Sequence, residues 1–321
     1  MSELQRHLLE DRVLNIDKGD GVTSCKVVER VKRLFRLGKV GHAGSLDPFA
    51  TGVLLVCTGN ATKITRFLMD LEKEYRGTIR LGVETDTDDS TGQATAPAGD
   101  FSVSEEELRD AVAGFRGRIL QRPPRVSALK HQGRRLYQMA REGQEFDAAP
   151  REVVIHEFTL SRFESPHVEF RLRCSRGTYV RAIARDVGRK LGCGAHLASL
   201  RRTAVGGFTV EDAVTLDELR ARADELNRGV LPEITSKSTA SVDEALSFLT
   251  AVFLRQGVEE RVLHGHSPAC AEIDRAQGEL TPEEPVRVVS FTGELLAVGR
   301  LTSSRGEDIV KLERLLSPSR G

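Results

Sequence analysis

Between Val168 and Cys174 apolar residues alternate without a break with charged ones: Val168, Phe170, Leu172 and Cys174 against Glu169, Arg171 and Arg173. Side chains of an extended chain point alternately to its two faces, so this segment is a strand buried on one side only. Further on, Ile183, Val187 and Leu191 recur at four-residue intervals, the stripe of an amphipathic helix. A second helix follows Thr23 or Ser24, with Val27, Val28, Val31, Leu34 and Phe35 on its apolar side and Gly38 behind it. Ser104 with Glu107 forms a capping box for a third, which buries Leu108, Val112 and Phe115, and Thr215 with Glu218 caps a fourth. Residues 75–81 form another strand, and the apolar run Val53 to Cys57 enters a buried element from a glycine-punctuated loop. Strands and helices are mixed without the regular alternation of a parallel sheet, which gives an α+β fold.

At 321 residues the chain is long enough for two domains, each with its own core. The stretch Leu231 to Ser241 has no periodicity and is rich in hydroxyl residues, so it is taken as the linker between domains at 1–231 and 242–321. After it come a short helical piece around Val242 to Leu249 and two strands, Val286 to Val289 and Leu295 to Leu301, joined through Phe291, Thr292 and Gly293. That is a small β-rich domain. No apolar run approaches the roughly 20 residues of a membrane helix, and the first residues lack the pattern of a signal peptide, so the expected location is cytoplasmic. The five cysteines form no CxxC pair, and the histidines show no paired-ligand spacing. Neither GxxxxGK[ST] nor GxGxxG occurs. No metal and no nucleotide cofactor is therefore expected.

The chain balances 47 Lys and Arg against 47 Asp and Glu, but unevenly. Residues 231–321 carry 10 basic and 14 acidic side chains, which leaves the body mildly positive. Two arginine-rich runs stand out. Arg116, Arg118, Arg122, Arg125, Lys130, Arg134 and Arg135 are interrupted by no acid, and seven basic residues between Arg171 and Lys190 meet only Asp186. Two such runs in a neutral protein suggest a groove that tracks phosphates, with Tyr137 and Tyr179 placed to stack on bases.

Two segments could carry chemistry. Glu84, Asp86, Asp88 and Asp89 crowd one acidic turn, but it lacks the glycine and terminal glutamate of a calcium loop, so the expectation is a solvated turn. In KVGHAGSLDPFATGVLLV, Pro48 keeps Asp47 out of the helical region, and Gly41, Gly44 and Gly52 allow close approach of a backbone or ligand. Taken alone, Asp47 reads as a turn residue that caps a following helix.

GHAGSLDPFATGVL resembles the signature of the TruB family of pseudouridine synthases. Three further segments resemble family motifs in the same order: KEYRGTIRLGVETDTDD, QRPPRVSALKHQGRRLYQMAREG, and RCSRGTYVRAIARDVGRKLGCGAHLASLRRTAVGGF. The likeness runs from about Leu14 to Leu216, and the tail resembles the family's small PUA-like RNA-binding domain. It implies a pseudouridine synthase fold with a central mixed, mainly antiparallel sheet and an RNA-gripping insertion at about 122–150. The implied reaction converts the T-loop uridine of tRNA, uridine-55, to pseudouridine. No group is added in this isomerisation, so no cofactor is called for. The resemblance further implies the T arm of tRNA as partner, no obligate protein partner and a monomer. Rival readings are a tRNA-folding chaperone with incidental isomerase activity and a guide-RNA-directed synthase.

The resemblance makes Asp47 the catalytic carboxylate, either as nucleophile at C1′ or as base at C2′. Such a pocket would raise its pKa by desolvation, and the matching Arg181 would oppose that shift. Tyr75 is the implied stacking face, His42 would occupy space near the flipped base, Leu200 would form an apolar wall and Lys18 would support the pocket. Tyr179 would share a face with Arg181 if the preceding strand persists that far. Arg125, Lys130, Arg134, Arg135, Arg201 and Arg202 are the implied RNA contacts. The chain departs from the family at Gly19, where proline is usual, and at Val126, where tyrosine is usual.

Overall fold

The computed structural model describes residues 9–95, 100–124, 130–131, 134–135, 149–227, 237–304 and 307–316. The alternating segment is a strand, His167–Cys174, and Val168, Phe170, Leu172 and Cys174 are all buried. It lies within a sheet of 11 strands. In chain order these and a short hairpin are β1 (Arg12–Lys18), β2 (Val40–His42), β3 (Thr51–Thr58), β4 (Lys73–Leu81), β5 (Gly117–Gln121), β6 (Lys130–His131), β7 (Arg134–Arg135), β8 (Arg151–Glu164), β9 (His167–Cys174), β10 (Ala195–Val205), β11 (Phe208–Thr209), β12 (Val214–Thr215) and β13 (Thr239–Ser241). The spatial order is β12-β1-β3-β10-β4-β9-β8-β5, with β2, β11 and β13 pairing at the side and β6 pairing only with β7. β1 with β12 and β3 with β10 run parallel, and the remaining pairs are antiparallel. The expected mixed, mainly antiparallel sheet is present.

The helices of the body are α1 (Ser24–Leu34), α2 (Thr65–Asp70), α3 (Glu105–Ala113), α4 (Val180–Lys190) and α5 (Leu216–Asn227). Thr23 caps α1 by accepting from the Lys26 amide, and Ser104 and Glu107 form a reciprocal capping box on α3. Thr215 and Glu218 bond each other's backbone at the start of α5. One face of the sheet takes most of the helices. Gly52 of β3 lies opposite Arg202 of β10, Arg202 opposite Tyr75 of β4, and Tyr75 opposite Leu172 of β9, so these residues share that face. There α3 and α4 pack over Tyr75, Ile79, Phe170 and Leu172, while α1 and α5 pack over Ile16, Leu54 and Val56.

A second sheet of five strands follows: β14 (Ala251–Leu254), β15 (Ile273–Gln277), β16 (Pro285–Val289), β17 (Leu295–Ser304) and β18 (Glu307–Leu315). Between the sheets lies α6 (Val242–Ala245), and α7 (Glu259–Leu263) packs on the second sheet through Val262. The linker expectation needs correcting at its end. Thr239, Ala240 and Ser241 form β13, antiparallel to Arg12–Leu14 of β1, and Ser238 is buried. Three residues are too few to show a period, so this pairing is invisible in the sequence. Residues 231–236 lie outside the described residues. Ala245, Leu246, Leu249, Val298 and Leu316 pack against Val13, Val53, Leu55 and Cys57 on the face opposite the helices.

Where β3 and β10 run side by side, Gly52 has φ +100, and a Cβ built there would lie 2.1 Å from the Arg202 carbonyl oxygen. Strained backbone and a backbone clash together cost roughly 2 kcal/mol or more. Gly52→Ala is expected to lower the unfolding free energy by at least that amount in urea titration, with the m value unchanged.

Candidate active site

The loop from Ala43 to Ala50 joins β2 to β3 and carries Asp47. Its course is set by backbone hydrogen bonds to residues far away in sequence. Ser24, at the start of α1, accepts from the Leu46 amide at 2.9 Å and donates to the Leu46 carbonyl at 3.2 Å. The buried Lys18 ammonium donates to the carbonyls of Gly19, Val22 and Pro48, at 2.9, 2.8 and 3.0 Å. Arg202 donates to the carbonyls of Val53 at 2.7 Å, Gly44 at 3.2 Å and Ser45 at 3.3 Å. Behind Asp47 the Ala50 amide closes a turn on the Asp47 carbonyl.

Arg181 pairs with the Asp47 carboxylate: Nη2 donates to Oδ1 at 3.2 Å, and Nε lies 2.8 Å from Oδ2. The same guanidinium donates to the Thr87 carbonyl at 2.9 Å and lies 3.4 Å from Asp89. Asp47 keeps 39% of its side-chain surface open, but protein surrounds it on the other sides. Burial pushes its pKa up, Arg181 opposes that shift, Asp89 adds to it, and Lys18 lowers it. A cavity of about 590 Å³ opens in front of Asp47, within the range of small-ligand pockets. Tyr75, Tyr179, Arg181, Leu200 and Arg202 line it with Asp47, and Arg151 to Val153 form part of its wall.

The structure thus brings together Asp47, Tyr75, Tyr179, Arg181 and Leu200 from distant parts of the chain. Lys18 and His42 stand outside this wall. His42 sits on β2 opposite Val56, its Nδ1 is buried without a hydrogen-bond partner, and burial followed by the nearby Arg202 lowers its pKa. Burial lowers Lys18 to about 8. Tyr75 is pushed up by burial, and Arg202 pulls the other way.

Four expectations require correction. First, β9 ends at Cys174, so Tyr179 and Arg181 do not share a strand face; Tyr179 caps α4 and Arg181 lies in its first turn. Gly177 at φ +80 turns the chain out of the strand, a conformation glycine adopts without strain. Second, Arg202 is no surface RNA contact, because it is buried and its guanidinium is occupied by loop carbonyls. Its neighbour Arg201 points to the opposite face, where it pairs with Asp17 at 2.7 Å. Third, the acidic turn is not simply solvated. Asp89, Asp88 and Glu84 meet Arg181, Arg185 and Arg189, which recur every four residues along one side of α4.

Fourth, the arginines between Arg171 and Arg189 do not form a free phosphate track. Arg171 pairs with Glu74, Arg173 with Glu72 and Arg176 with Asp70, in addition to the three on α4. In the other run, Arg116 donates to the Phe158 carbonyl and Arg118 pairs with Glu152. Lys130, Arg134 and Arg135 lie on the hairpin of β6 and β7, and Arg125 and Val126 fall outside the described residues. Lys73, which the sequence reading passed over, is buried in the cavity wall and donates to the Met69 and Leu71 carbonyls. Its position two residues before Tyr75, hence on the same strand face, was the available signal.

A carboxylate held by an arginine at the edge of an aromatic-walled cavity is the arrangement of an enzyme site, and comparison with known proteins gives its family. Residues 32–180 match the TruB family pseudouridylate synthase (N terminal domain), and residues 181–234 match the tRNA pseudouridylate synthase B C-terminal domain. The tRNA pseudouridine synthase B of Cupriavidus metallidurans is 43% identical over 306 residues, covering 94% of each chain. That of Vibrio vulnificus is 40% identical over 300 residues, covering 92% of this chain and 94% of the relative. Among solved structures, a Cbf5-Nop10-Gar1 complex superposes with a TM-score of 0.79 at 27% identity, covering 98% of this chain and 87% of the other. The chain belongs to the TruB family of pseudouridine synthases and is an isomerase.

Two outcomes follow from this geometry. Since Arg181 holds the Asp47 pKa down against burial, Arg181→Gln should move the acid limb of the kcat/KM profile to higher pH, because a larger fraction of Asp47 is then protonated at any given pH. Arg202→Met should orphan the buried Val53 carbonyl, at roughly 1–3 kcal/mol, and remove the donor from the partly buried Gly44 and Ser45 carbonyls. Urea titration should show a loss of at least about 2 kcal/mol, smaller in Arg202→Lys.

Proposed function

We propose that this protein converts the T-loop uridine of tRNA to pseudouridine, acting as a cytoplasmic monomer without an obligate protein partner. The carrying observation is the Asp47 carboxylate, gripped by Arg181 and facing a cavity that contains Tyr75. The target nucleotide leaves its stack and enters this cavity, at a cost of a few kcal/mol that contacts inside recover. Tyr75 and Tyr179 offer ring faces to the base, and Leu200 supplies an apolar wall.

Asp47 acts ionised, either by adding to C1′ or by taking the C2′ proton. In both routes the bond from C1′ to N1 breaks and uracil leaves with the electron pair. The base turns and C5 bonds to C1′, which breaks the C1′–O bond to Asp47 in the first route and is followed by return of the C2′ proton in the second; the C5 proton goes to solvent and N1 takes up a proton. Atoms balance without any added group. Arg181 keeps the carboxylate ionised and in place throughout. The small five-stranded sheet serves in this reading as a PUA-like RNA-binding unit, and Arg151, in the cavity wall, follows in sequence the segment read as the RNA-gripping insertion. The relatives at 40% to 43% identity are named tRNA pseudouridine synthase B, whereas the Cbf5 complex stands at 27%. This favours a stand-alone tRNA enzyme over a particle subunit.

The test uses a T-arm RNA hairpin with tritium at uridine C5, incubated with wild type and with Asp47→Asn. Label release by wild type and its loss by more than about a thousandfold in the variant are expected. Binding of the hairpin by wild type without release would overturn the assignment.

A further inference from the structure

We propose that the exposed face of α1, together with Arg220 of α5, forms a second binding surface that takes RNA backbone phosphates beside the Asp47 cavity. The inference rests on the reading of the chain as an RNA-modifying enzyme. Between Lys26 and Lys39 the sequence places six basic residues, Lys26, Arg30, Lys32, Arg33, Arg36 and Lys39, against the single acid Glu29. All six are exposed, because Val27, Val31 and Phe35 turn the other side of the helix into the core.

These cations, unlike the arginines from Arg171 to Arg189, have no carboxylate partner among the described residues. Arg171, Arg173, Arg176, Arg181, Arg185 and Arg189 are each ion-paired. Among the described residues, none of the six on and after α1 makes such a pair, nor does Arg220. A paired arginine gives little to a phosphate without losing its partner, whereas an unpaired one releases counterions in full. This leaves six exposed cations without a carboxylate partner within the fourteen positions from Lys26 to Lys39.

The shape suits the charge. Arg30 and Arg33 lie one helical turn apart and, with Arg220, Leu34, Leu216 and Asp217, line a groove of about 540 Å³ between α1 and α5. Three guanidinium forks against one carboxylate leave the groove positive, and such forks match phosphate oxygens in pairs. The position is also suitable. Both helices cover the sheet face that carries Tyr75 and Arg202, and Ser24 bonds α1 directly to Leu46, one residue before Asp47. At a rise of 1.5 Å per residue, Arg30 and Arg33 are about 9 and about 14 Å along the helix from Ser24.

The test compares wild type, a triple alanine variant (Arg30→Ala, Arg33→Ala, Arg220→Ala) and the corresponding triple lysine variant on an unmodified full-length tRNA transcript. Affinity is read across a salt series, and tritium release is read at saturating RNA. The alanine variant should bind at least about tenfold more weakly at low salt. Its log-log salt dependence should be shallower by about 2 to 3, near 0.9 per lost contact. Turnover at saturation should be unchanged, and the lysine variant should keep most of the affinity and slope. Unchanged affinity and slope in the alanine variant would overturn the groove, as would an equal loss in the lysine variant. Failure of wild type to release label is a separate result that sinks the enzymatic reading beneath it, while release by wild type with unchanged binding sinks the groove alone.

Discussion

An ionised carboxylate largely surrounded by protein must be compensated, and the neighbourhood of Asp47 is arranged around that requirement. The compensating group, Arg181, is itself only 5% exposed and needs anionic or carbonyl partners of its own. It finds them in Asp89 and the Thr87 carbonyl. Asp89 is fixed in turn by the Thr87 and Thr91 hydroxyls and the Thr91 amide. The chain of partners explains local structure that would otherwise look arbitrary. β9 must end at Cys174 so that α4 can begin at Val180 and bring Arg181 in its first turn to the loop. The turn from Thr85 to Thr91 must tuck beneath the helix instead of extending into solvent.

The same pairing governs the charge of the protein as a whole. A net charge of zero is compatible with a polyanionic substrate only if positive and negative groups are unevenly committed. Here several acids of the body, including Glu72, Glu74, Asp70, Asp88 and Glu84, are committed to arginines on the sheet, on α4 and in the turn between them. A densely basic stretch of sequence can thus be internally neutralised, while a less conspicuous one such as α1 keeps its charge for solvent or ligand.

This is also why the sequence was legible in some respects and not in others. The strand at Val168–Cys174, the caps at Thr23, Ser104 and Thr215, and the helix stripe of α4 are local patterns, and each is present. Asp47, Tyr75, Arg181 and Leu200 could be named through family motifs, since residues about 150 positions apart have no local signature of contact. What escaped was pairing across the fold. Arg202 is one of two adjacent arginines on a strand, and only the register that sets it opposite Tyr75 and Gly52 shows that it faces inward while Arg201 faces out. The three-residue strand β13 was missed because its pairing with β1 depends on a partner more than 200 residues away.

The two cations that hold the catalytic loop act differently from Arg181. Lys18 and Arg202 spend their hydrogen bonds on backbone carbonyls, which fix the path of the loop without cancelling the charge. Their fields therefore reach the site. Lys18 helps to lower the Asp47 pKa, and Arg202 adds to the burial that biases His42 and Lys73 toward their neutral forms and brings Lys73 to about 8. A carboxylate partner in place of those carbonyls would have held the loop equally well but removed the positive potential. Loop geometry and carboxylate ionisation are thus secured by the same buried side chains, so a change at either position disturbs both.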